Sequence, residues 1–180
     1  MIKINLGCGW RDFGKDWHHV DGGDYPHLDS RDIFNLPFED DSVDIIYVSH
    51  VIGYFNRQEI VEILEKWKAK LKPKGTIRVA TPDFKTMARL YYNGQYSLDD
   101  FLGPLYGKMQ MGPDTIYHKT TYDFKDLKEV LLSAGFNNVN RYDWEAYNVH
   151  RENDDHSQAY LPHLDKENGT LISLNVEAKK

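Results

Sequence analysis

The chain has only one cysteine, Cys8, which excludes an internal disulfide framework and fits a reducing compartment. It has no apolar run long enough to span a bilayer and no charged-then-apolar leader. Positive charge is short as well. Twenty-two Lys and Arg against 28 Asp and Glu leave a formal net charge of -6, whereas a DNA or RNA surface needs clustered cations. These absences point to a cytoplasmic protein with neither a membrane nor a DNA partner, and the Asn168-Gly-Thr170 sequon then reads as an unglycosylated turn. Repeats, low-complexity tracts and dividing linkers are missing too. With 180 residues, 41% of them hydrophobic, the sequence reads as one domain over residues 1–180. One further absence concerns a motif. The early glycines are Gly7, Gly9 and Gly14, so no G-x-G-x-x-G is formed, and the span from Gly9 to Asp21 is too short for a full crossover helix.

What is present is a β-rich run, Ile2–Leu6, that enters the turn Gly7-Cys8-Gly9, and a second run, His18–Asp21, that ends on a carboxylate. In an open α/β sheet this pairing holds a nucleoside-bearing ligand. The glycines admit close approach of the backbone, and the acid meets the ribose hydroxyls. Further strands are expected at Arg31–Phe34, Val43–Ser49, Thr76–Thr81, Val139–Trp144 and Thr170–Ala178, the last two pairing as an antiparallel edge. Val43–Ser49 and Thr76–Thr81 are near-continuous apolar runs, the pattern of strands buried on both faces. The helix between them should start at a capping box of Asn56 and Glu59, with Phe55 and Ile60 at staple positions, and bury Ile60, Ile63, Leu64, Trp67 and Leu71. A second helix is expected from Phe124 to Ala134, capped by Asp123 and stopped by Gly135. Residues 84–121 read as an inserted lid or substrate segment: helices at Phe84–Tyr92 and Ser97–Phe101, then a Gly/Pro/Met loop over Gly103–Pro113.

Taken in order, these motifs resemble the class I S-adenosylmethionine-dependent methyltransferases, in particular compact members of the type 11 kind. Asn5-Leu6-Gly7-Cys8-Gly9 is similar to the family's glycine motif, Asp21 to the acid after the second strand, and Arg31–Phe38 with Asp41–His50 to the adenine-contacting turn and fourth strand. Leu71-Lys-Pro-Lys-Gly-Thr76 is a further point of similarity. The resemblance implies a Rossmann-like, seven-stranded, mostly parallel sheet with an antiparallel edge strand. It also implies S-adenosyl-L-methionine as cofactor and methyl transfer by in-line displacement to a small polar or sugar-type acceptor, with O-methyl transfer favoured. The cofactor-binding set it implies is Asn5, Gly7, Cys8, Gly9, Asp21, Asp32, Ile33, Ser49 and His50. Asp32 would take the adenine amino group and the Ile33 backbone the ring edge. The chain departs from the family where Trp10–Asp16 and Gly22–Ser30 replace the first two crossover helices. One sheet face is therefore expected to lack cover, so that the lid, or a second copy in a homodimer, must bury it.

A hydroxyl acceptor needs a base. His50, at the end of the motif strand, and His118, after the lid, are the candidates, with Asp83 orienting either one or binding a substrate hydroxyl. Each has a plainer alternative: a structural histidine, or a helix cap in the case of Asp83. Cys8 reads as a small packing residue. His150, Asp154, Asp155 and His156 match no zinc signature, and no metal is expected there. Two rival readings are a non-catalytic S-adenosylmethionine-binding module for regulation or assembly, and a nicotinamide-dependent oxidoreductase. The missing third glycine counts against the latter.

Overall fold

Six strands form the central sheet of the computed structural model, which describes residues 1–145 and 158–180. They are β1 (Lys3–Leu6), β2 (His18–Val20), β3 (Val43–Ser49), β4 (Leu71–Pro82), β7 (Asn137–Arg141) and β10 (Ser173–Lys179), in the spatial order β2-β1-β3-β4-β10-β7. The first four are mutually parallel. β10 runs antiparallel between β4 and β7, one place in from the edge where an antiparallel strand was expected. The run Arg31–Phe34 is not a strand. A single parallel bridge, between Val20 and the preceding residue Ser30, is all that forms there, and Asp32 turns the chain by accepting the N–H groups of Phe34 and Asn35. The sheet is thus the expected α/β type with one strand fewer among the described residues.

Helix α1 (Glu59–Lys70) joins β3 to β4. Its start is fixed by reciprocal bonds: the Glu59 N–H donates to Asn56 Oδ1 (2.8 Å) and the Asn56 N–H to Glu59 Oε2 (3.2 Å). Ile60, Ile63, Leu64 and Trp67 form its buried stripe. At roughly 1.5–3 kcal/mol for each large apolar side chain removed from water, this stripe far outweighs the helix's intrinsic propensity. Trp67 also donates its indole N–H to Ile33 O (2.7 Å), tying the helix to the loop that follows β2. Helix α4 (Phe124–Ser133), capped by Asp123, packs beside α1 on the same sheet face through Leu127 and Leu131.

Strand alternation divides the sheet. Ile4, Leu6, Ile46, Val48, Ile77, Val79, Leu174 and Val176 meet α1 and α4 in the main core. Their neighbours Asn5, Tyr47, Arg78 and Asn175 turn to the opposite face, which carries neither α1 nor α4. The face without α1 and α4 is therefore present, but the expectation that it is apolar is corrected. Its middle is polar and buried, Gln158 bridges Tyr47 and Asn175, and Phe13 and Trp17 pack on Tyr47 in place of a crossover helix.

The segment after β4 holds α2 (Phe84–Tyr92) and α3 (Leu98–Tyr106), which form a satellite core with Leu161 and Ile172. Two short antiparallel pairs complete the described residues: β5 (Met109–Met111) with β6 (Asp114–Ile116), and β8 (Tyr160–Leu161) with β9 (Thr170–Leu171). The stretch expected as a loop over Gly103–Pro113 is instead the last turn of α3, then β5 and the turn that leads into β6. His150, Asp154, Asp155 and His156 lie outside the described residues.

Candidate active site

β1 has β2 on one side and β3 on the other, so the chain reverses direction across the sheet between β1 and β3. Open α/β sheets bind ligands at the carboxyl ends of the strands at such a switch. Gly7 follows β1 there, and Val51 lies just beyond β3. Gly7 has φ +69°, and a Cβ on it would stand 2.0 Å from Val51 Cγ2. Its lack of a side chain thus serves the contact between the two strand ends. Gly9, at φ +57°, is different. Its Cβ position faces open space, with Arg11 Nη1 the nearest atom at 4.0 Å, and a ligand could approach the backbone on that side.

Asp21 is buried at the end of β2, and its carboxylate orders the glycine turn. Oδ2 accepts the Gly9 N–H (2.8 Å) and Oδ1 the Gly23 N–H (2.7 Å). Each oxygen keeps a lone pair for a further donor, which is the capacity a pair of ribose hydroxyls requires. Asn5 is buried behind this turn, its amide 3.4 Å from Arg11 O. Cys8 is buried, 3.7 Å from His27 Nε2. Burial, aided by the Asp21 charge, pushes its thiol up to about 12, so it packs and does not act as a nucleophile.

His50 follows Ser49 at the end of β3 and adopts φ +55°, a conformation uncommon for a residue with a side chain. Its Nε2 lies 3.0 Å from Ser173 Oγ, which also accepts the Ala159 N–H (2.8 Å). Burial, with the charges of His118 and Arg11, pushes the imidazole down to about 3, so it is neutral at physiological pH. His118 is stacked edge-on against Tyr54 with ring centroids 4.6 Å apart and Nδ1 3.2 Å from Pro104 O. Burial lowers its pKa too. Asp83 takes the helix-cap role: it accepts the Lys85 N–H (3.2 Å) and the Thr86 hydroxyl (3.1 Å), and lies 3.4 Å from Arg141. Asn5, Gly7, Cys8, Gly9, Asp21, Ser49 and His50 thus gather around the strand switch. His118 and Asp83 both make contacts at the segment over residues 84–121.

Residues 15–79 match a family model described as a methyltransferase domain. Demethylmenaquinone methyltransferase of Staphylococcus saprophyticus is 31% identical over 137 residues, 69% of this chain and 52% of that protein. The same-named protein of Staphylococcus haemolyticus is 33% identical over 125 residues, 63% of this chain and 48% of that protein. The chain spans about half the length of the curated relatives it matches. Among solved structures, a SAM-dependent methyltransferase from Archaeoglobus fulgidus superposes with TM-score 0.58 at 15% identity, over 99% of this chain and 86% of that one. The Burkholderia thailandensis 1,6-didemethyltoxoflavin-N1-methyltransferase, with bound 1,6-didemethyltoxoflavin and S-adenosylhomocysteine, gives TM-score 0.56 at 12% identity, over 99% of this chain and 70% of that one. Residues 15–79 are thus similar to a methyltransferase domain, and the chain has the fold of the SAM-dependent methyltransferases.

Two members of the expected cofactor set, Asp32 and Ile33, are arranged less favourably. Asp32 is exposed and spends its carboxylate on its own turn, accepting also from the Asn35 amide (3.0 Å). Those bonds from Asn35 and Phe34 hold it below the usual carboxylate range. The Ile33 carbonyl is taken by Trp67. Four residues of the site were not singled out from sequence. Arg11 places a cation beside Gly9, and its charge reaches both Cys8 and His50. Its place two residues past the glycine turn was the available signal. Val51, Ser173 and Met111 gave no local signal. A Cβ on Gly22 would lie 3.4 Å from Met111 Sδ, so the β5–β6 hairpin reaches the turn that follows Asp21. Among the described residues no helix is long and apolar enough to cross a membrane.

Proposed function

We propose that this domain binds S-adenosylmethionine at the carboxyl ends of β1, β2 and β3 and transfers its methyl group to a small, ring-bearing acceptor in the cytoplasm. The observation that carries the reading is the Asp21 carboxylate, bonded to the Gly9 N–H beside an open-sided glycine. When bound, the cofactor supplies an electrophilic methyl group on a sulfonium. Asp21 accepts ribose hydroxyls, Gly9 gives backbone access, and Arg11 offers a cation to the methionyl carboxylate. Neutral His50 adds no charge that would repel the sulfonium. With its Nε2 beside Ser173 and its basicity lowered, His50 works mainly by shape, and the rate rests on alignment of acceptor, methyl and sulfur. The names of the staphylococcal relatives, and the toxoflavin precursor held by the Burkholderia enzyme, support a quinone-type or heterocyclic acceptor over the sugar hydroxyl expected from sequence.

The test is formation of S-adenosylhomocysteine from S-adenosylmethionine with a panel of hydroxylated naphthalenes and heterocycles. Acceptor-dependent product is expected. Tight cofactor binding with no product across the panel would favour the non-catalytic module, and preference for a nicotinamide dinucleotide would overturn the assignment.

A further inference from the structure

We infer that a cleft on the helix-free face of the sheet is the acceptor pocket, and that it takes a planar ring bearing an O–H or N–H donor, with Asn175 as the receiving group. Identifying the occupant with the methyl acceptor rests on the function proposed above; the pocket itself does not. The cleft has a volume of about 390 Å³ and is lined by Tyr142, Trp144, Tyr160, Ser173 and Asn175, among others. That volume lies within the range that holds small organic ligands, about 300–1,000 Å³, and three aromatic residues suit a flat ring.

The decisive feature is Asn175, which is 5% exposed. Its Nδ2 donates to Gln158 Oε1 (2.8 Å), and Gln158 Nε2 in turn points to Tyr47 OH (3.4 Å). This chain fixes the orientation of the amide and leaves Oδ1 buried with no hydrogen-bond partner among the described residues. Buried acceptors are rarely left unmatched, because nothing then replaces the water they lose. A ligand donor supplies the match. The neighbouring wall residue Ser173 is the one that contacts His50 (3.0 Å), so the cleft shares a side chain with the end of β3, where the methyl donor is proposed to bind. A ring seated on Asn175 would lie on the far side of that pair from Asp21.

The probe is 2-naphthol, with naphthalene as the control that lacks the donor, titrated calorimetrically into the full chain without cofactor. Wild type should bind 2-naphthol more tightly than naphthalene. Asn175→Leu should weaken 2-naphthol at least about tenfold and leave naphthalene and S-adenosylmethionine unchanged. Trp144→Ala, at a partly exposed wall position, should weaken both rings and serves if the Asn175 variant does not fold. Equal 2-naphthol affinity in wild type and Asn175→Leu, or no binding by wild type, would overturn the proposal and leave Asn175 satisfied by a buried water. Because no cofactor is present, failure here is distinct from failure to bind S-adenosylmethionine.

Discussion

His50 Nε2 stands 3.0 Å from Ser173 Oγ, joining the end of β3 to the start of β10 across 123 residues of sequence. The pair makes His50 a fixed, uncharged wall of the site and has a measurable consequence for pH. Burial, with the charges of His118 and Arg11, brings the folded imidazole down to about 3, whereas an unfolded histidine titrates at about 6.5. Between those values the unfolded chain holds the extra proton, so stability rises with pH and is lost as pH falls through the window. Burial shifts His19 and His118 in the same direction. Melting temperature should drop from pH 7 to pH 5, and His50→Gln should shallow the slope. A flat profile in the wild type would refute this.

Gly7 and Gly9 should separate fold from ligand. Gly7→Ala meets Val51 at 2.0 Å with φ +69° and should cost about 2–4 kcal/mol of stability, through overpacking and left-handed strain together. Gly9→Ala carries the backbone strain but no clash, so its cost should be about 1–2 kcal/mol while cofactor affinity falls sharply. Denaturant melts and cofactor titrations of both variants check this. Equal stability loss in the two would contradict the assignment.

Asp83 should prove a cap. Asp83→Ala should lower stability by about 1–2 kcal/mol, and Asp83→Ser, which retains a capping oxygen, should recover much of it with turnover close to wild type. A large fall in kcat for the stably folded serine variant would return Asp83 to the chemistry.

For His118 the expectation is a clasp. Its ring lies between Gly53 and Gly107 and against Tyr54, at the base of the hairpin that reaches Gly22. Replacing it with alanine should speed limited proteolysis between Lys108 and Tyr117 and raise KM more than it lowers kcat. Unchanged proteolysis together with a steep loss of kcat would point to a base.

Features fixed by local backbone chemistry were legible in the sequence. The Asn56–Glu59 box, the span of α2, the glycine turn and the acid after β2 follow from neighbours within a few residues, and all are found where expected. Features made by distant contacts were not. Ser173 meets His50, and Met111 meets Gly22, only because the sheet order brings remote segments together. The polar face was misread for a related reason. In Thr76–Thr81 the apolar count hid Arg78, whose guanidinium is buried with Glu177 and over the Tyr142 ring. The strand expected at Arg31–Phe34 lost to side-chain chemistry, since Asp32 offers its own neighbours' N–H groups a closer acceptor than a sheet partner would.

The most direct measurement is calorimetric titration of S-adenosylmethionine, and separately of NAD, into wild type and Asp21→Ala. Wild type should bind S-adenosylmethionine and prefer it to NAD, and the variant should lose at least about tenfold, or 1.4 kcal/mol, while still melting cooperatively. Equal affinity in the two proteins, or a preference for NAD, would contradict the account.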